Sequence, residues 1–288
     1  MLRRFLGYFN YFYYFIAMAR VNMALSRAAA TSALRQIDET DPRTWEFCGF
    51  SQSGGDGIID FLTQKISRPN RYFVEIGSND GIENNSAWLA FARRFTGLLV
   101  DGDARLMKRV KYLWGPLCLA DFLNIFVDKD NAIQVKEKSL YADPDIFSID
   151  IDGNDYYVAE VLLKAGFRPK IFVAEYNSSF GPDKSIAVEH RPNFYHERER
   201  GEHLVNYWGC SLKGWQTFLA KYGYKFLTVD ANGVDAFFIR PEEFDPAFFD
   251  ALKPGLVWKE NYSTVWSFRT SWEKQFELIK DKPFFEIK

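Results

Sequence analysis

From residue 71 onward the chain alternates short apolar runs with longer amphipathic ones, and this alternation constrains the fold more than any other feature. The runs YFVEIG (72–77), GLLVD (97–101), PLCLAD (116–121), DIFSIDID (145–152) and KIFVAEYN (170–177) have strand length and strand composition. Between them lie helical patterns at 85–95, 104–113, 129–141 and 155–166. Strands separated by helices of ten or more residues predict βαβ units and a parallel sheet covered on both faces. The pattern changes near the end. A helix over 208–223 precedes two apolar runs, 224–230 and 234–240, joined only by Ala231-Asn232-Gly233. Asn-Gly between two such runs is a strong hairpin signal. The expectation is a Rossmann-like α/β fold, with a mainly parallel seven-stranded sheet that ends in an antiparallel hairpin. A nicotinamide-binding sheet usually closes with another parallel crossover instead.

In open α/β sheets ligands bind beyond the carboxyl ends of the strands. The first strand ends in Glu75-Ile76-Gly77-Ser78-Asn79-Asp80-Gly81, where glycines admit positive φ and let backbone approach a ligand. The Gly spacing is GxxxG, not the GxGxxG of dinucleotide binders. Asp101 ends the second strand, where a carboxylate can accept ribose hydroxyls, and Asp121 ends the third, where an adenine contact is expected. Asp150, Asp152, Asn154 and Asp155 sit at the end of the fourth strand. The fifth ends in Glu175 and Asn177. Period-2 alternation would put Asp150 and Asp152 on one side. Neighbouring carboxylates repel unless neutralised, and a divalent cation with oxygen ligands, such as Mg²⁺, fits such a group. The candidate metal ligands are therefore Asp150, Asp152, Glu175 and Asn177. A cluster that touches cofactor or substrate without metal, and a purely structural one, are the competing readings. Asp155 and His190 are candidate proton acceptors. All three histidines, His190, His196 and His203, lie in the polar segment 178–207, among charged residues that also suit a solvated loop. Tyr195, Tyr207 and Trp208 in that segment suit either sugar stacking or ordinary core packing.

The motifs SQSGGDG (51–57), VEIGSNDGIENN (74–85), LLVDGD (98–103), FSIDIDGNDYYV (147–158), VAEYN (173–177) and ANGVDAFFIR (231–240) occur in order over residues 50–240. Together they resemble the FkbM-like branch of S-adenosylmethionine-dependent methyltransferases. The resemblance implies a class I methyltransferase fold and O-methylation of a sugar hydroxyl in a glycan or glycoconjugate. It also implies cofactor contacts by Glu75, Gly77, Asp101 and Asp121, with Gln52, Ser78, Asp80, Gly81 and Asp150 as further cofactor-site candidates. Ser51 and Asp56 are candidates to line the same pocket. Gly55 stands where the family commonly has Glu. The alternatives are a nicotinamide-dependent sugar oxidoreductase and a non-catalytic scaffold that kept the fold.

Three segments follow: an N-terminal helical extension (1–49), the methyltransferase domain (50–240) and a C-terminal packing extension (241–288). The first acidic residue is Asp38, preceded by five arginines, and eight aromatics fall between Phe5 and Phe15. The apolar run between Arg4 and Arg20 is shorter than the roughly 20 residues that span a bilayer. Residues 1–37 are expected to form an interfacial membrane helix, or one packed on its own domain or on a second copy in a homo-oligomer. A signal anchor and a cleaved targeting peptide also compete. The expected place is the cytoplasm, at the inner face of the membrane if the helix binds lipid. Near-balanced charge, 36 Lys+Arg against 38 Asp+Glu, argues against a nucleic-acid partner. The three cysteines are far apart and predict neither disulfides nor zinc.

Overall fold

The computed structural model describes residues 2–115, 120–192, 194 and 206–288, and only the backbone of 2–13. Cys118, Tyr195, His196 and His203 lie outside the described residues. The elements run α1 (Leu2–Leu34), α2 (Gly55–Thr63), β1 (Tyr72–Ile76), α3 (Ala87–Arg93), β2 (Thr96–Asp101), α4 (Ala104–Trp114), β3 (Ala120–Asn124), α5 (Ile133–Lys138), β4 (Ile146–Ile149) and α6 (Asp155–Lys164). They continue with β5 (Ile171–Glu175), β6 (Ile186–Val188), α7 (Leu212–Ala220), β7 (Lys225–Val229), β8 (Asp235–Ile239), α8 (Pro246–Asp250), α9 (Tyr262–Phe268), α10 (Trp272–Glu277) and β9 (Phe284–Glu286).

The main sheet has seven strands in the order β3-β2-β1-β4-β5-β8-β7. The first five are parallel, and β8 runs antiparallel between β5 and β7. This is the mainly parallel sheet with a terminal hairpin that the sequence predicts. Its strands read as near-continuous apolar runs because helices cover both faces. Side chains alternate accordingly. Val74, Ile76, Leu98 and Val100 enter the core beneath α6 and α7, whereas Phe73 and Leu99 enter the core beneath α1 to α4. At the opposite end from the ligand edge, buried Lys170 pairs with Asp145 at 2.7 Å. Asp145 also accepts the Asn70 and Arg71 amides at 2.9 and 2.8 Å.

Helix α1, about 50 Å long at 1.5 Å per residue, lies on its own domain. Ala17, Val21, Ala24 and Ala28 form a buried stripe at helical spacing. Three of the five arginines before Asp38 engage the chain's own loops: Arg27 Nε donates to the Gly49 carbonyl at 3.0 Å, Arg35 to the Trp45 carbonyl at 2.6 Å, and Arg20 pairs with Asp80. Among the described residues no helix is long and apolar enough to cross a membrane. The chain after β8 wraps over the carboxyl end of β5. Ser178 Oγ accepts the Asn261 amide, Tyr176 donates to the Lys259 carbonyl, and Ser179 donates to Gln275. Strands β6 and β9 form a separate antiparallel pair. Tyr207 and Trp208 are buried in the small core beside it, so their rings pack there.

Candidate functional site

Two chain reversals shape the ligand edge. After β1, Gly77 takes φ +87° and Gly81 φ +72°. A Cβ on Gly77 would lie 1.6 Å from the Asp150 carbonyl oxygen, so only glycine lets the turns after β1 and β4 touch. A narrow polar cleft opens beside this contact. Ser51, Gln52, Glu75, Gly77, Glu83, Asn84, Asn85, Asp150, Val234 and Asp235 line it.

Several carboxylates at this edge are held by backbone amides at helix starts, where N–H groups lack helical partners. Glu75 accepts the Asn85 and Ser86 amides at 2.8 and 2.9 Å, and the Ser86 hydroxyl as well. Burial pushes its carboxyl up to about 7. Asp56 Oδ2 gathers the amides of Gly49, Phe50 and Ser51, so Asp56 shapes the loop that presents Ser51 and Gln52. Asp101 accepts the amides of Asn79 and Asp103, both at 2.8 Å, and burial raises its carboxyl. Asp80 Oδ1 accepts the Ile82 amide at 3.0 Å. The buried Ser78 hydroxyl has no hydrogen-bond partner and sits just after Gly77.

Asp150, Asp152 and Glu175 come together, each offering an oxygen within 4.8 Å of the others. Their meeting does not come from strand alternation. Strand β4 stops at Ile149, and Asp152 sits in the left-handed region at φ +54°. A turn, not a pleat, therefore brings the two aspartates to one place. Burial, then the neighbouring Asp152 charge, pushes Asp150 up to about 8. Burial, then the neighbouring Asp150 and Asp152 charges, hold Glu175 well above the usual carboxylate range. Glu175 Oε2 is buried with no hydrogen-bond partner. Opposite Glu175 in strand register stands Asp235, also buried and raised. Like charges directly across a strand pair are destabilising. This donor set fits a hard divalent cation.

Other expected site residues are placed elsewhere. Asp121 is exposed near the start of β3, three residues before its end and paired with Lys138 at 3.5 Å. The strand's carboxyl end, level with Asp101, is Asn124, whose side chain donates to the Asp101 carbonyl. Pairing with β2 sets that limit, which the stretch PLCLADFLNIFV (116–127) leaves unmarked, since apolar residues lie on both sides of Asp121 and of Asn124. Asn177 is buried away from the cluster. It accepts the Ser179 amide and donates to the Asn206 and Trp208 carbonyls, so it holds two loops together. Asp155 accepts the Ile151 and Gly153 amides, both at 2.9 Å, one on each oxygen. That geometry makes it the clamp of the 151–153 turn. Burial raises it to about 6. His190 Nε2 lies 2.8 Å from Asp128 Oδ1, with its ring edge-on to Tyr157. Asn154 ties Asp128 and the Arg191 carbonyl to the turn after β4.

Sequence reasoning missed Asp235, Asn85, Glu46 and Asp128. Asp235 had a signal: a carboxylate in phase with Phe237 and Ile239 on an otherwise apolar strand. Glu46, whose carboxylate accepts the Ala231 amide and is raised by burial to about 7, had none.

Comparison with family models and with curated proteins gives no match. Among solved structures the chain is similar to the O-methyltransferase TomG from Streptomyces achromogenes in complex with SAM. The TM-score is 0.44 and identity 14%, over 75% of this chain and 95% of that one. An O-methyltransferase from Bacillus cereus in complex with SAH gives 0.40 and 13%, over 77% and 89%. The CurJ carbon methyltransferase gives 0.41 and 11%, over 77% and 66%. Overlaps this low carry no weight by themselves, and the class I methyltransferase fold is read from the strand order and the reversed β8.

Proposed function

We propose that this chain is an S-adenosylmethionine-dependent O-methyltransferase of the FkbM-like kind, acting on a sugar hydroxyl of a glycan or glycoconjugate. The observation that carries the reading is the coincidence of two things at one sheet edge. One is a cleft walled by the β1 turn, Glu75 and the 83–85 loop, with Asp101 holding the β1 turn through the Asn79 amide. The other is the Asp150–Asp152–Glu175 cluster at the next two strands. The first suits a nucleoside with a charged tail. The second suits a hydroxyl that must lose its proton.

Asp150, Asp152 and Glu175 would hold a divalent cation. When bound, it supplies charge neutralisation and a lowered pKa for the acceptor hydroxyl. The chain's own residues do the rest. Gly77 and Asp101 seat the donor. The walls align acceptor oxygen, methyl carbon and sulfur. The C–O bond forms as the C–S bond breaks, the sulfur keeps the electron pair, and the hydroxyl proton leaves to a base. His190 is the proposed base. Its Nε2 lies 2.8 Å from Asp128 Oδ1, a contact that orients the ring.

Calorimetry with S-adenosylmethionine, followed by transfer of a labelled methyl to a panel of oligosaccharides, tests the reading. Micromolar binding and label on a hydroxyl are expected. Folded protein that binds neither donor nor S-adenosylhomocysteine sinks it. Activity that survives EDTA removes the cation from the proposal and leaves the rest. The GxxxG loop and the terminal hairpin count against a nicotinamide oxidoreductase. Peripheral membrane contact through residues 1–37 stays part of the proposal only for Phe5 to Phe15, Arg3 and Arg4. Equal flotation of wild type and an Arg3→Glu/Arg4→Glu variant on anionic liposomes would refute it.

A further inference from the structure

Helix α1 touches both walls of the cleft. Toward one wall, Thr31 Oγ exchanges hydrogen bonds with the Cys48 amide and carbonyl at 3.1 and 2.9 Å. Arg27 grips the Gly49 carbonyl. A Cβ on Gly49 would lie 2.7 Å from that of Ala28, so helix and loop are in close packing. This loop continues into Ser51 and Gln52 of the cleft. Toward the other wall, the Arg20 guanidinium pairs with Asp80 Oδ2. Asp80 Oδ1 meanwhile caps the turn at Ile82 and Glu83, and that turn continues into the cleft residues Glu83 to Asn85.

We infer that Arg20 is a positioning residue for the donor cleft: from α1 it holds Asp80, and through Asp80 the 82–85 wall, at a fixed distance from the 48–52 wall. Asp80 thus acts as an anchor for the loop and not as a ligand contact. The inference rests on the S-adenosylmethionine reading of the cleft. The pair is partly exposed, with 43% of the Arg20 side chain and 18% of the Asp80 side chain accessible. Such pairs contribute little to global stability. The effect is therefore expected in ligand affinity and its salt dependence, not in unfolding.

Arg20→Gln and Asp80→Asn should each weaken S-adenosylmethionine binding about 2- to 5-fold, with an unfolding midpoint within about 2 °C of wild type. Arg20→Lys should retain most of the affinity. The wild-type advantage over Arg20→Gln should shrink as salt rises from 0.05 to about 0.5 M, because a partly exposed pair is screened. The double variant Arg20→Gln/Asp80→Asn should bind no more weakly than the weaker of the two single variants, because each removes the same pair. Wild type that binds while Arg20→Gln binds equally well overturns the inference and leaves the donor reading intact. Single losses that add in full in the double variant overturn it too, as does wild-type affinity in Asp80→Asn should Arg20→Gln prove unstable. Wild type that fails to bind donor overturns the donor reading, and this inference with it.

Discussion

Asparagine at position 150 should remove a pH-dependent penalty that the wild-type fold carries when no cation is present. The Asp150 carboxyl sits near 3.8 in an unfolded chain and is pushed up to about 8 in the fold, first by desolvation and then by the Asp152 charge. The sign follows from linkage. Below pH 4 both states hold the proton and the full stability is present. Between pH 4 and 8 the unfolded chain releases it while the folded one keeps it, so stability falls as pH rises; above about 8 the loss is complete. Each pKa unit is worth about 1.4 kcal/mol, so roughly three units at pH 7 set an upper bound of about 4 kcal/mol. Asp150 retains some contact with solvent at the cleft, which screens the interaction, and about half of that bound is a reasonable expectation. Asp150→Asn also relieves Glu175, which changes stability in the same direction.

Urea unfolding of both proteins in EDTA at pH 5, 6, 7 and 8 measures this. The wild type should lose about 2 kcal/mol relative to the variant across that range. Mg²⁺ at ten times its dissociation constant should return about 1.4 kcal/mol to the wild type at pH 8, less at pH 5, where the ligands are protonated, and nothing to the variant. Profiles that stay parallel within about 0.5 kcal/mol would show that the cluster keeps its ordinary charge in the fold and would refute the reasoning.

The remaining predictions separate roles along the sheet edge. Asp101→Ala should weaken S-adenosylmethionine about tenfold, roughly 1.4 kcal/mol, whereas Asp121→Ala should leave the calorimetric affinity unchanged, since Asp121 is exposed at the wrong end of β3. Gly77→Ala should abolish measurable donor binding and lower the unfolding free energy by more than about 1 kcal/mol, from positive φ alone, because its Cβ would meet the Asp150 carbonyl. Lys170→Met should cost about 3–5 kcal/mol by leaving Asp145 buried without its cation; a loss under about 1 kcal/mol in urea would contradict that account.

The sheet was legible because period and length are local signals. Phe73 and Val74 already belong to opposite cores in the sequence pattern. The Asn232-Gly233 pair already dictates a hairpin. Site residues that sit at the end of a strand, such as Glu75 and Asp101, follow from the same logic. What failed is what pairing decides. Nothing in PLCLADFLN says where β3 begins, so the sequence alone assigns Asp121 an end that belongs to Asn124. Alternation was carried through Asp152, although β4 ends earlier and a left-handed residue makes the turn. Asn177 and Asp155 have the right chemistry for ligand or base. Their partners are backbone groups of Asn206, Trp208, Ile151 and Gly153, which no side-chain pattern reveals. Nor does the run of arginines in residues 1–37 say that Arg20, Arg27 and Arg35 reach the chain's own loops.

That last point bears on which carboxylates are available for chemistry. A parallel α/β sheet places helix starts at its ligand edge, and each start offers amides without helical partners. Glu75 takes the amides before α3, Asp103 those of α4, and Asp155 those of the turn into α6. Asp56 takes three from the 49–51 loop at the start of α2. These groups satisfy the fold and fix the loops. Glu175 is different: it ends β5, where the chain enters a short 3₁₀ turn capped by Asn177 and not by itself. It therefore meets Asp150 and Asp152, and its second oxygen has no hydrogen-bond partner. A near-neutral chain that concentrates carboxylates at one edge, supplies amides to some and leaves Glu175 facing two acids makes that edge costly to charge, a cost that a bound proton or a cation relieves. A cationic sulfonium donor and a divalent ion are the two groups of the proposed reaction that would relieve it.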